Sequence, residues 1–339
     1  NYNLRHPVEL ELSIVSSRIL SAVQGSLLMV DSVQSANGII TPLVRTWCLF
    51  ELWTSTVMGS PPMTDVAFGS LAFQDWNKQI MRLDITTSKS QDLAAQERIL
   101  RELLRSNQSV LQVNAILRAA GSLKPIFFKT ELEGLAEDVE MEAMYDAMSR
   151  GNDMVRKLVW IQGNEGAGKS TLCSAVVKDL GAAASQAESK QAVLHFFVRQ
   201  GDSNRRNPIM LLRTMAFQLC SAFPEDLADY FLRMGPASIE RLLDVNEAFT
   251  DLLVRPLRKL SHEKRVCIVI DGLDEGLNPE KHSSLEMEME GLPDTFSQEL
   301  KEMLVMMWKC YANPVLLLVK QMAQELPQYV RMIVSSQKP

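Results

Sequence analysis

A chain of 339 residues with 46% hydrophobic and 22% charged side chains has the composition of an ordinary globular protein and a length that suits two domains. Its formal net charge of -6 argues against a general nucleic-acid-binding surface, and no apolar run approaches the ~18–20 residues of a membrane span; Pro314–Val319 is far too short. The five widely spaced cysteines (Cys48, Cys173, Cys220, Cys267, Cys310) include no C-x-x-C pair, which fits a reducing, cytoplasmic compartment and excludes a disulfide or zinc framework.

In chain order, Leu10 to Val23 has helical spacing, and the short apolar run Ser26 to Asp31 reads as a buried strand. Asn37-Gly38 marks a turn. Pro42 suits a helix start ahead of Trp47-Cys48-Leu49-Phe50-Glu51-Leu52-Trp53. Ile80 to Ile85 reads as another strand. Asp92 to Leu104 has the three-and-four stepping of an amphipathic helix, and Val110 to Ala120 continues as a second helix ending at Gly121. Alternating strands and helices imply an α/β layer structure over residues 1–121. Leu123-Lys124-Pro125 breaks the last helix. Residues 122–150 then read as an acidic linker helix: Val139, Ala143 and Ala147 repeat at four on one face, and Glu137, Asp138, Glu140, Glu142 and Asp146 make the other.

The most specific stretch is Gly163-Asn164-Glu165-Gly166-Ala167-Gly168-Lys169-Ser170-Thr171. It has the form G-x-x-x-x-G-K-[ST], with the strand Leu158–Ile161 before it and a helical pattern after it, the setting a phosphate-binding loop requires. Its glycines let backbone N–H groups converge on phosphate oxygens, and the following helix adds its positive end. Lys169 suits the β- and γ-phosphates, and Ser170 suits Mg²⁺.

Ala192 to Arg199 reads as a second strand, Pro208 opens a helix, and Ile239 to Leu260 is largely helical with a kink expected at Pro256. Arg265 to Ile270 is a buried strand that delivers Asp271, followed by Gly272, Asp274 and Glu275. Asp271 is placed to hold Mg²⁺. Glu275 is the candidate general base and Asp274 the alternative. Residues 276–325 form an acidic, Met-rich insertion with a helix expected around Met303–Met307. His195, His262 and His282 lack ligand spacing, so no metal beyond Mg²⁺ is expected.

Two resemblances follow from these motifs. W-C-L-F-E-L at residues 47–52 resembles the signature of TIR and TIR-like domains, which have a flavodoxin-like fold. The likeness covers roughly residues 8–120. In NAD-cleaving members the Glu of this signature is the catalytic carboxylate, and here that position is Glu51. The family's first strand and loop are unrecognisable, so NAD cleavage is not expected from these residues alone. Read without the resemblance, Glu51 is equally a solvated helix charge.

D-G-L-D-E at residues 271–275, H-F-F-V-R-Q-G-D at 195–202, L-L-R-T-M-A-F-Q-L at 211–219 and the run Val330–Ser336 resemble the NACHT family of STAND-class P-loop NTPases. Gln337 stands where that family usually carries Arg. The resemblance implies a P-loop NTPase parallel sheet with helices on both faces over residues 151–339, binding ATP or ADP with Mg²⁺. It also implies a slow ATPase that serves as a nucleotide-dependent switch in immune- or stress-type signalling, with self-oligomerisation. The alternatives are an NAD hydrolase acting through Glu51 and a nucleotide-binding scaffold that does not hydrolyse. The chain begins without Met and ends directly after a strand-like run, and it reads as a fragment of a longer protein. For the isolated residues, weak nucleotide binding and self-association are expected.

Overall fold

The computed structural model describes residues 26–27, 45–57, 62–63, 78–90, 93–105, 109–128, 131–132, 158–184, 190–277 and 313–337. The helix expected at 10–23, most of the strand at 26–31, the Asn37–Gly38 turn, the linker helix and the Met-rich stretch around 303–307 lie outside the described residues. The chain divides into two compact units. One comprises Asn1–Thr130 and Phe223–Arg241, the other Glu131–Ala222 and Leu242–Pro339.

In the first unit, β1 (Ser26–Leu27) pairs in parallel with β2 (Pro62–Met63). Helix α1 spans Thr46–Val57. It starts later than Pro42 suggests because Arg45 is extended in a parallel bridge with Lys89. The buried Thr46 hydroxyl shares a 2.8 Å hydrogen bond with that of Ser88. Leu49, Phe50 and Trp53 pack with Ile80, Ile85 and Leu103 in one core.

The strand expected at Ile80–Ile85 is not formed. Residues 78–82 are helical and Ile85–Thr87 is a 3-10 turn. The amide of Ile85 donates to the Asn114 side chain at 2.9 Å, and Asp84 caps the turn by accepting the Thr86 amide at 3.0 Å. Those side chains satisfy the backbone groups a sheet would otherwise take up.

Helix α2 (Leu93–Arg105) turns Ile99 and Leu103 inward. Helix α3 (Val110–Leu123) opens on a capping box: Ser109 Oγ accepts the Gln112 amide, and Gln112 Oε1 accepts the Ser109 amide. Gly121 does not end it. A Cβ there would lie 2.5 Å from Ile80 Cδ1, so Gly121 is a close-packing residue inside the helix. The stop comes at Lys124, which takes the left-handed conformation (φ 48°) just ahead of Pro125. The helix Pro224–Arg241, kinked at Gly235-Pro236, packs against α3, and Glu240 pairs with Lys124 at 2.7 Å.

The second unit is an α/β structure around a four-stranded parallel sheet. Its strands are β3 (Leu158–Gln162), β4 (Gln191–Phe197), β5 (Arg265–Asp271) and β6 (Val330–Ser336), in spatial order β3-β6-β5-β4. The near-continuous apolar runs of β5 and β6 are those of strands buried on both faces. The helices are α4 (Lys169–Ala184), α5 (Pro208–Ala222), α6 (Val245–Phe249), α7 (Arg255–Lys259) and α8 (Pro314–Glu325). A π-helical turn, Thr250–Val254, joins α6 to α7 immediately before Pro256, whose missing N–H interrupts the regular α-helical bonding.

Among the described residues β4 is an edge strand. Its outward backbone at His195 is satisfied by one side chain: Gln218 Oε1 accepts the His195 amide at 2.7 Å, and Gln218 Nε2 donates to the His195 carbonyl at 3.1 Å. A side-chain amide from α5 thus closes the sheet edge there.

Candidate functional site

Because the four strands run parallel, their carboxyl ends share one edge of the sheet. The register brings Gln162 opposite Ser336, Ile270 opposite Val334 and Phe197 opposite Asp271. The segments that leave these ends are the ones singled out in the sequence.

Residues 163–168 link β3 to α4. Gly166 (φ 75°) and Gly168 (φ 81°) hold positive φ, a conformation that favours glycine, and a Cβ built on either meets no atom within 4 Å. Lys169 is the first residue of α4, and its ammonium donates to the carbonyls of Gly163 at 3.0 Å and Asn164 at 2.8 Å. Ser170 and Thr171 follow in the first helical turn. A positive-φ loop feeding the start of a 16-residue helix, with a lysine beside it, is an anion-favouring arrangement.

At the end of β5, Asp271 is 2% exposed and accepts a hydrogen bond from the Ser335 hydroxyl, whose oxygen in turn accepts the Gly272 amide at 3.0 Å. Gly272 is left-handed (φ 75°), and a Cβ there would lie 3.1 Å from the Val198 carbonyl. The thiol of Cys173, one turn into α4, is raised well above the ordinary thiol value by burial and then by the Asp271 carboxylate; Lys169 pulls the other way. Helix α4 packs on both β5 and β6.

The two acidic residues beyond Gly272 are engaged differently. Asp274 Oδ1 accepts the amide of Gln337 at 2.9 Å. Glu275 Oε2 accepts the amide of Gln200 at 3.2 Å, and its Oε1 faces the Arg199 guanidinium at 3.7 Å. Buried Asn313 pins the same turn, donating to the Leu273 carbonyl at 2.6 Å and capping α8 at Leu316.

Ser335, Asn313, Arg199 and Gln200 were not singled out from the sequence. Their contacts cross between segments far apart in the chain; the run at residues 195–202 contains Arg199 and Gln200 and the S-S of β6 contains Ser335, but neither run shows what these residues bond to. Glu51 belongs to the first unit, where it is exposed on α1. Desolvation raises its carboxyl above the usual carboxylate value, and burial followed by Glu51 raises the Cys48 thiol. Among the described residues no three His, Cys, Asp or Glu side chains gather as a metal-binding group, and no helix is long and apolar enough to cross a membrane.

Comparison with known proteins finds no match among curated sequences and none among solved structures. The model of one protein family does match. Described as the N-terminal region of nephrocystin 3, it covers residues 137–306 and therefore takes in β3, the glycine loop, β4 and the Asp271–Glu275 turn. This family, rather than NACHT, is the one matched, and with half of its length covered the chain belongs to the nephrocystin 3 N-terminal family.

Proposed function

We propose that the second unit is a P-loop NTPase of the NACHT-like, STAND type that binds Mg·ATP or Mg·ADP and serves as a slow, nucleotide-dependent signalling switch. The observation that carries this reading is the loop at the head of α4, with Gly166 and Gly168 at positive φ and the Lys169 ammonium on the loop carbonyls. In this reading the loop amides and Lys169 hold the β- and γ-phosphates, with phosphate oxygens replacing the Gly163 and Asn164 carbonyls as acceptors for the ammonium.

Ser170 and Asp271 would hold Mg²⁺, the Asp271 carboxylate being already hydrogen-bonded by the Ser335 hydroxyl. Mg²⁺ would neutralise charge on the phosphates. Glu275 takes a proton from the attacking water, whose oxygen bonds to the γ-phosphorus as the bond to the bridging oxygen of ADP breaks. Residues 163–171 thus form the nucleotide cradle, with Glu275 as base and Asp274 beside it.

A cytoplasmic setting agrees with the free cysteines Cys48, Cys173, Cys220 and Cys267. Self-association driven by nucleotide, and an effector role in immune- or stress-type signalling for the TIR-like segment with Glu51, belong to the same reading. One observation favours the non-hydrolysing scaffold as a second reading: both oxygens of Glu275 already face Arg199 and Gln200, just beyond the end of β4.

The test is equilibrium binding of a fluorescent ATP analogue with Mg²⁺ to the parent chain and to Lys169→Ala, with circular dichroism to confirm folding. Removing the lysine should weaken binding by tenfold or more, on the order of one charge-assisted contact. Equal affinity in a folded Lys169→Ala protein rejects the phosphate-loop assignment.

A further inference from the structure

We infer that Arg199, together with the backbone amide of Gln200, is a restraint on Glu275 that holds this base on the β4 side of the sheet and keeps hydrolysis slow. The inference rests on the reading of Glu275 as the general base.

Three observations carry it. First, both carboxylate oxygens are engaged by consecutive residues just beyond the end of one strand: Oε2 accepts the Gln200 amide at 3.2 Å, and Oε1 faces the Arg199 guanidinium at 3.7 Å. Held at both oxygens, the carboxylate has to break these contacts before it can turn toward another partner. Second, the direction of the pull is set by topology. The order β3-β6-β5-β4 places β4 farthest from β3, the strand that feeds the glycine loop. Contacts to residues 199 and 200 therefore draw the carboxylate away from where a terminal phosphate would lie.

Third, the other acid of the turn is not held by this pair. Asp274 bonds to Gln337 on the β6 side. The two neighbouring acids are thus pulled toward opposite sides of β5, and only Glu275 is held by a side chain able to let go. The Arg199 side chain is 45% exposed and that of Glu275 33% exposed, so the pair is screened and exchangeable. The Gln200 amide is fixed backbone and supplies the geometry; Arg199 supplies the part that can be released.

The experiment measures steady-state Mg·ATP hydrolysis and nucleotide affinity for the 339-residue chain, Arg199→Ala, Arg199→Lys, Glu275→Gln and the Arg199→Ala/Glu275→Gln double variant. Arg199→Gln is included should Arg199→Ala fail to fold. A restraint predicts that Arg199→Ala, or Arg199→Gln in its place, raises kcat roughly two- to fivefold, the scale of an exposed ion pair, while nucleotide Kd stays at the parental value. Arg199→Lys should stay near the parental rate, and the gain should vanish when Glu275→Gln is added. A kcat that is unchanged or lower in the charge-removing variant overturns the inference, as does a gain that survives Glu275→Gln. If the parent binds nucleotide and neither it nor the Arg199 variants hydrolyse it, the restraint is rejected while the binding reading stands. If the parent binds no nucleotide, the phosphate-loop reading fails and the inference with it.

Discussion

The carboxylate of Asp274 accepts the backbone N–H of Gln337 at 2.9 Å and so ties the turn after β5 to the end of β6. The contact uses the amide of residue 337, not its side chain. A residue other than Arg at this position therefore leaves the tie intact. The same contact gives the two acids of the turn different roles. Asp274 is tied to the end of β6, and Glu275 is the acid that the proposed function assigns to proton transfer.

The corresponding prediction is a double dissociation. Asp274→Ala should lower stability by about 1 kcal/mol, the usual net value of one hydrogen bond, read as a shift in denaturant midpoint. It should reduce hydrolysis less than Glu275→Gln does. Glu275→Gln should abolish turnover with stability and Mg·ATP affinity near the parental values. If Asp274→Ala lost turnover completely while Glu275→Gln kept it, the base would be Asp274.

The edge of the sheet gives a second prediction. Gln218 satisfies both the N–H and the C=O of His195 on the outward side of β4. Gln218→Ala removes both partners at once, and water reaches this half-buried edge only in part. The expected cost is about 1–3 kcal/mol, with faster amide exchange at His195. Gln218→Glu keeps an acceptor and loses the donor, so it should fall between the parent and Gln218→Ala. An unchanged midpoint for Gln218→Ala would show that the edge is covered by something other than this amide.

His195 itself sets a pH dependence. Burial lowers its imidazole from the usual 6.5 to about 4. The unfolded chain therefore takes up this proton near pH 6.5, while the folded chain resists it until about pH 4. Holding the imidazole neutral thus costs nothing above pH 6.5, destabilises the fold progressively as pH falls below that value, and reaches its full penalty below about 4. That penalty is on the order of 3 kcal/mol. Denaturation curves at about pH 7.5 and 5, on either side of the ordinary imidazole value, should show a smaller acid loss for His195→Phe than for the parent. Equal acid loss in both would mean that His195 titrates normally in the folded chain.

The parts of this architecture that were legible in the sequence are those whose cause is local. The glycine loop carries its own geometry in Gly166, Gly168 and Lys169, and the strands Arg265–Asp271 and Val330–Ser336 announce themselves as near-continuous apolar runs. What failed locally failed for a non-local reason. Ile80–Ile85 has the composition of a strand, yet the Asn114 side chain on a distant helix takes the Ile85 amide. Gly121 looked like a helix end because its packing partner, Ile80, cannot be seen from spacing. At the site, the acids were visible but their partners were not. Ser335, Gln337 and Arg199 reach Asp271, Asp274 and Glu275 only once strand order is known.

Gly276 and Asn313 give the last prediction. A Cβ on Gly276 would lie 2.5 Å from Asn313 Oδ1, closer than real contacts allow. That oxygen cannot simply step aside. It accepts the Leu316 amide at the start of α8, while the nitrogen of the same side chain donates to the Leu273 carbonyl at 2.6 Å. Gly276→Ala should therefore cost about 1–3 kcal/mol through overpacking. Asn313→Ala should cost a similar amount, about 1–2 kcal/mol, by removing a helix cap and a buried hydrogen bond. The two should not add. With the Asn313 side chain gone, the alanine methyl at 276 has room, so the double variant should be little worse than Asn313→Ala alone. A coupling of about 1 kcal/mol or more is expected from the cycle, in the range seen for residues in direct contact. Urea denaturation of the parent, the two single variants and the double variant measures it. Strict additivity would mean that Gly276 is required for its backbone and not for the space it leaves to Asn313.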